Sequence, residues 1–178
     1  MLYLKKKLSL FFLLLLSLNL HANTFKNITS FEADFSQTIT NPSGKKALYT
    51  GLLSIQEPNQ VKWQYIDPFE KYVYIKKYTV TIIEPDLEQA IITKLDKEIN
   101  IINLLKNAVE TTPNSYLSHY NNTDYTLLLE NDTLKQISYQ DEIENNVIIS
   151  FKNVQQNQRI DKKVFQFTIP LEYDIIKK

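Results

Sequence analysis

Residues Gly51–Pro68 read GLLSIQEPNQVKWQYIDP. A strand over Gly51–Gln56 runs into a turn at Pro58-Asn59. A second strand, Val61–Ile66, carries the only tryptophan of the chain, Trp63, and a second turn closes at Asp67-Pro68. Side chains alternate across a strand, so Val61, Trp63 and Tyr65 share one face and Gln60, Lys62 and Gln64 the other. A hairpin with one large aromatic face needs an apolar cover.

Upstream, FEADFSQTIT alternates cleanly. Phe31, Ala33 and Phe35, continued by Gln37 and Ile39, oppose Glu32, Asp34, Ser36 and Thr38, the pattern of a half-buried strand. Asn41-Pro42-Ser43-Gly44 is a turn by composition. Lys46–Gln56 is a long strand in which Gly51 marks a bulge or bend. Downstream, KYVYIKKYTVTIIEPD gives strands around Tyr72–Ile75 and Tyr78–Glu84, and Glu88–Lys94 gives another. The period then becomes helical over Asp96–Ala108: Asp96 caps, Ile99, Ile102 and Leu105 recur, and Ile101, Leu104 and Ala108 widen the stripe. Ser115–Asn122 stays ambiguous, with a short helix one reading. Strands resume at Tyr125–Glu130, Leu134–Tyr139 and Val147–Val154, with Asn131-Asp132 as a hairpin turn. Lys163–Ile169 reads as a strand ended by Pro170, and Leu171–Ile176 as a final edge strand.

About ten sequential strands with one clear helix predict a mainly β chain with helices: a strongly curved antiparallel sheet or a barrel, closed or open. An open barrel needs a cover, and the Asp96–Ala108 helix is the candidate. Strands such as YVYI and TLLL are apolar on both faces. A sandwich buried on both sides is one explanation; a curved sheet holding a ligand inside and packing on helices outside is the other.

The N-terminus reads differently from the rest. Lys5, Lys6 and Lys7 precede an apolar run, Leu8–Leu20, and Leu20-His21-Ala22 ends in a small residue. That is the pattern of a secretory signal peptide over 1–22, since about 13 apolar residues fall short of the ~20 a spanning helix needs. The expected mature domain is 23–178, with cleavage after Ala22. Without the three lysines, 17 basic side chains face 20 acidic ones, so there is no basic excess to hold nucleic acid. The chain has no cysteine and two glycines, which removes a disulfide framework and argues against glycine-rich phosphate loops. The mature chain has one histidine, His119, in a polar stretch and no Gly-x-Ser-x-Gly elbow. Asp141, Glu142 and Glu144 read as a solvated hairpin end, not a metal site. No enzyme is expected, and no metal.

The order of these motifs resembles the periplasmic lipoprotein carrier family, LolA. Phe31, Ala33, Phe35 and Gln37 match its early Phe-x-Ala-x-Phe-x-Gln strand. Gly51 and Leu53 match its Gly-x-Leu strand; Pro58, Trp63 and Pro68 match its Pro-x-x-x-x-Trp and following Pro. Glu88-Gln89-Ala90 and the C-terminal Phe165, Phe167 and Pro170 extend the likeness over the mature chain. The resemblance implies an incomplete barrel with helices over its open side. It also implies a periplasmic carrier that takes acylated lipoproteins from an inner-membrane lipoprotein-releasing ABC transporter to an outer-membrane receptor. It implies no cofactor. A related half-barrel that binds lipid or lipoprotein as an envelope-stress sensor is the alternative. The lipid-facing candidates are then Leu53, Ile55, Val61, Trp63 and Tyr65, and the lid-helix candidates Ile101, Ile102, Leu104 and Leu105. A monomer is expected of a transient carrier.

One position departs from the family. An arginine commonly precedes the proline of the Pro…Trp motif and bonds groups in the lid; here that residue is Glu57. Ionised glutamate accepts but does not donate, so the same contact cannot form. Lys62 is a possible substitute, but alternation places it differently.

Overall fold

The computed structural model describes residues 25–94 and 101–178. Twelve strands form one sheet: β1 (Ser30–Thr40), β2 (Lys46–Gln56), β3 (Gln60–Asp67), β4 (Lys71–Lys76), β5 (Thr79–Glu84), β6 (Gln89–Lys94), β7 (Val109–Thr112), β8 (Ser115–Tyr120), β9 (Thr123–Glu130), β10 (Thr133–Gln140), β11 (Asn146–Gln156) and β12 (Asp174–Lys177). The spatial order is β12-β6-β5-β4-β3-β2-β1-β11-β10-β9-β8-β7. Strands β12 and β7 stand at opposite ends, so the sheet is open. It is a single sheet, not a sandwich.

The strand count is twelve, not about ten, and the reasons are local. Ser115–Tyr120 is a strand, not a helix. Asn121 and Asn122 have φ of 47° and 61°, so the pair makes the same left-handed turn as Asn131 and Asp132, with φ of 51° and 59°. Such turns match the twist of the strands they join. The one α-helix among the described residues, α1 (Ile101–Lys106), ends before Ala108, and β7 begins at Val109. Asp96 and Ile99 lie outside the described residues, as does the signal-peptide segment.

The C-terminal reading needs one correction. Lys163–Ile169 is not a strand. A 3-10 turn, Lys162–Phe165, is capped by Asp161, whose carboxylate accepts from the Lys163 amide at 2.9 Å, and the chain then runs unpaired to Pro170. The final edge strand is present, but it joins β6 in parallel, Asp174 opposite Gln89 through Lys177 opposite Ile92. Alternation requires extended backbone; it does not require a pairing edge.

The two faces of the sheet differ. Register puts Phe31, Phe35, Val61, Ile75, Val80, Leu127, Ile137 and Ile149 on the concave side, where they form the core. Phe31 meets Phe151 edge-on at 5.3 Å. Phe25 and Ile28, just before β1, are buried in the same core, Phe25 edge-on to Tyr116. Tyr74, Thr81, Ile83 and Ala90 lie on the convex side and are buried too. The segment between β11 and β12 crosses that side, with the Phe167 ring 4.6 Å from Tyr74. This explains why YVYI is apolar on both faces.

Candidate functional site

Three adjacent strands build the floor of the concave face. Phe31, Ala33 and Phe35 of β1 pair with Ile55, Leu53 and Gly51 of β2, which pair with Val61, Trp63 and Tyr65 of β3. Leu53, Ile55 and Val61 are buried, so they form the floor itself. The β2–β3 register slips between Thr50 and Gly51, the bulge that the glycine signalled. A Cβ on Gly51 would stand 1.8 Å from the Gln64 carbonyl oxygen and 2.8 Å from Phe35. The missing side chain lets the Phe35 ring lie over the bulge, edge-on to both Trp63 and Tyr65 at 5.3 Å. Trp63 and Tyr65 stack at 6.3 Å.

Above this floor is a cavity of about 370 Å³, walled by Trp63, Leu104, Tyr125, Ile137, Tyr139 and Ile149, with Asp141 and Glu142 of the β10–β11 turn also against it. Trp63 lies on β3 and Tyr125 on β9, five strand spacings apart, or about 24 Å along a flat sheet. Their presence in one cavity shows how strongly the sheet curls. Bulges between Glu32 and Asp34, and between Leu134 and Gln136, add local twist to the same end. Of the five residues expected to face lipid, Trp63 alone lines the cavity; Tyr65 stacks on Trp63, and Leu53, Ile55 and Val61 are buried in the core away from its lining. The far wall was not foreseen. Alternation in Tyr125–Glu130 and Leu134–Tyr139 selects Tyr125, Ile137 and Tyr139 as one face, but nothing local says that this face meets Trp63.

The cavity lining also includes the polar residues Asn121 and Thr123. Burial pushes the Tyr65 hydroxyl up to about 12, with Tyr139 and Tyr49 adding to the shift. Tyr125 and Tyr139 are also raised, chiefly by burial. The Tyr65 hydroxyl donates to buried Gln37 Oε1 at 3.2 Å. The Trp63 indole N–H is buried and has no hydrogen-bond partner among the described residues. Nor does any group of three or more His, Asp or Glu side chains among them have the arrangement to hold a metal ion. His119 lies on the surface, its Nδ1 2.8 Å from Asp124 Oδ1.

The family model described as outer membrane lipoprotein carrier protein LolA matches residues 26–128. The chain belongs to the LolA family. The outer-membrane lipoprotein carrier protein of Campylobacter jejuni is 35% identical over 151 residues, 85% of this chain and 88% of that protein. Its counterpart in Wolinella succinogenes is 32% identical, covering 86% of this chain and 90% of that one. Among solved structures, an uncharacterized conserved protein from Thermus thermophilus gives a TM-score of 0.52 over 86% of this chain and 93% of its own, at 9% identity, a likeness of fold alone.

Glu57, where the family pattern led us to expect no lid contact, does reach the helix. Its Oε1 accepts from Lys106 Nζ at 2.6 Å, and both side chains are partly buried. The turn before the Trp63 strand is therefore tied to α1. Lys62 is not the substitute; its Nζ lies 5.5 Å from the Tyr72 ring centre on the convex face. Ile102, Leu104 and Leu105 are buried, whereas the Ile101 side chain lies outside the described residues. Leu104 faces the cavity, and its carbonyl accepts from Ser118 Oγ of β8 at 2.8 Å.

Proposed function

We propose that this chain is a periplasmic carrier that shields the acyl chains of lipoproteins between an inner-membrane ABC transporter and an outer-membrane receptor. The observation that carries the reading is the apolar cavity lined by Trp63, Tyr139 and Leu104. One long acyl chain is worth about 10 kcal/mol of burial, at ~0.8 kcal/mol per methylene. A soluble carrier must match a large part of that and still release its cargo. In this reading residues 1–22 are removed on export, 23–178 form the carrier domain, and the protein works as a monomer without a cofactor, because the energy enters at the donor.

A cavity of about 370 Å³ sits at the low end of pockets for one drug-sized ligand, so several acyl chains require it to widen. Helix α1 is the part proposed to move, with Leu104 as the side chain that leaves the cavity and Glu57–Lys106 as its clasp. A partly exposed ion pair contributes about 1 kcal/mol, far less than one buried chain. The clasp therefore holds the empty form closed and yields to cargo.

The test is mass spectrometry of the mature protein purified from periplasm without detergent, beside a Trp63→Glu form. Acylated lipoproteins should accompany the native chain and be absent from the folded variant. A native chain that stays empty when supplied with purified lipoprotein and its membrane donor would overturn the reading.

A further inference from the structure

The convex face carries a second cleft that the carrier cycle does not use. It measures about 470 Å³ and lies between β3–β5 and the segment that crosses the sheet, with Tyr74, Phe165 and Phe167 among its walls and Lys76, Lys77 and Thr79 along its margin. Val61 and Ile75 of the core also reach its lining, but it shares no lining residue with the cargo cavity.

Charge is distributed unevenly here. Across the convex face one row of paired residues reads Gln60, Lys76, Thr79, Lys94, and the next reads Lys62, Tyr74, Thr81, Ile92. Neither row holds a carboxylate, although the whole chain balances 20 basic against 20 acidic residues. Lys162 and Lys163, in the turn that carries Phe165, add to the same sign. The nearby carboxylate, Asp161, is committed to the Lys163 amide. None of Lys76, Lys77 and Lys94 forms an ion pair with another described residue.

We infer that this cleft binds a single-chain anionic amphiphile, its tail against Tyr74, Phe165 and Phe167 and its headgroup between Lys76 and Lys77. An aromatic floor favours a hydrocarbon tail, and two unpaired ammonium groups at one margin favour a carboxylate or phosphate. A neutral ligand leaves the lysines unanswered, and a small anion leaves the floor unanswered. Fatty-acid carboxylate and lysophospholipid phosphate share this chemistry.

The single native tryptophan makes the site separable from the cargo cavity. In a Trp63→Phe, Phe167→Trp chain the only indole reports on the convex cleft. Titration with laurate, lauroyl lysophosphatidylglycerol, lauroyl lysophosphatidylcholine and dodecanol, each below its micelle concentration or solubility limit, should give saturable shifts with one or both anionic ligands. The stronger of these two names the source. Adding Lys76→Gln and Lys77→Gln should weaken that ligand about 100-fold, about tenfold for each charged hydrogen bond lost, and dodecanol should respond weakly with or without the lysines. Native mass spectrometry of the Trp63→Glu chain, with Phe167 intact, should retain one bound anionic amphiphile. Equal affinity for all four ligands, no saturable response, indifference to the lysine pair, or loss of the ligand in the Trp63→Glu chain would each overturn the inference.

Discussion

At the residue scale, Trp63 joins the fold to the cavity, and the two contributions are separable. Its indole N–H is buried without a partner, which destabilises by about 1–3 kcal/mol. Trp63→Phe removes that donor while keeping a ring against Phe35, so the urea midpoint should move little, whereas Trp63→Glu should abolish cargo uptake in a chain that still folds. Gly51 is the opposite case, a position with no tolerance. Gly51→Ala puts a methyl 1.8 Å from the Gln64 carbonyl, and breaking the bulge should cost about 3 kcal/mol in urea unfolding. Tyr65 gives a pH signature. Its folded value near 12 exceeds the ordinary 10.0, so the folded state holds this proton more tightly than the unfolded one. Stability from Tyr65 is complete below pH 10.0 and is lost as pH rises towards about 12. Tyr72 is also raised to about 12, chiefly by its hydrogen bond to Glu70, so spectrophotometric titration should show late phenolates of which Tyr65→Phe removes one, together with its share of the alkaline loss.

At the scale of elements, α1 and the β2–β3 turn form the unit that matters. The residues of both are plain in the sequence, but their pairing is not, because Glu57 and Lys106 are 49 positions apart. Glu57 offers only an acceptor, and the donor that meets it sits on the helix. A double-mutant cycle of Glu57→Gln and Lys106→Gln should give a coupling of about 1 kcal/mol. The swapped pair, Glu57→Lys with Lys106→Glu, should restore most of it. Either single variant should take up cargo more readily and hold it less selectively, measured as transfer from loaded donor membranes. Short elements were harder to read than long ones. β1, β2 and β11, eleven residues each, declare themselves by alternation, whereas β7 has four residues and β8 carries tyrosines that suit either period. The Asn121-Asn122 turn was the available signal for β8, since it is the same chemistry as Asn131-Asp132.

At the scale of the whole molecule, the proposed carrier cycle needs a rigid part and a movable one. β1 is held on both sides by eleven-residue strands, and α1 is held by the Ser118 hydroxyl, the Lys106 clasp and three buried side chains. Loading with lipoprotein should therefore speed amide exchange in α1 while β1, β2 and β11 stay protected; uniform protection would argue against a moving helix. The amino-acid sequence by itself determined the β class, the aromatic hairpin at Val61–Tyr65 and membership of the carrier family. Each of these rests on alternation, turn residues and motif order, which are local along the chain. Tertiary structure alone decided which faces meet: Trp63 against Tyr139 across the curl, Glu57 with Lys106, and Phe167 against Tyr74 on the outside. The degree of curl and the path of an unpaired segment depend on contacts between residues far apart in sequence, and no local period encodes them.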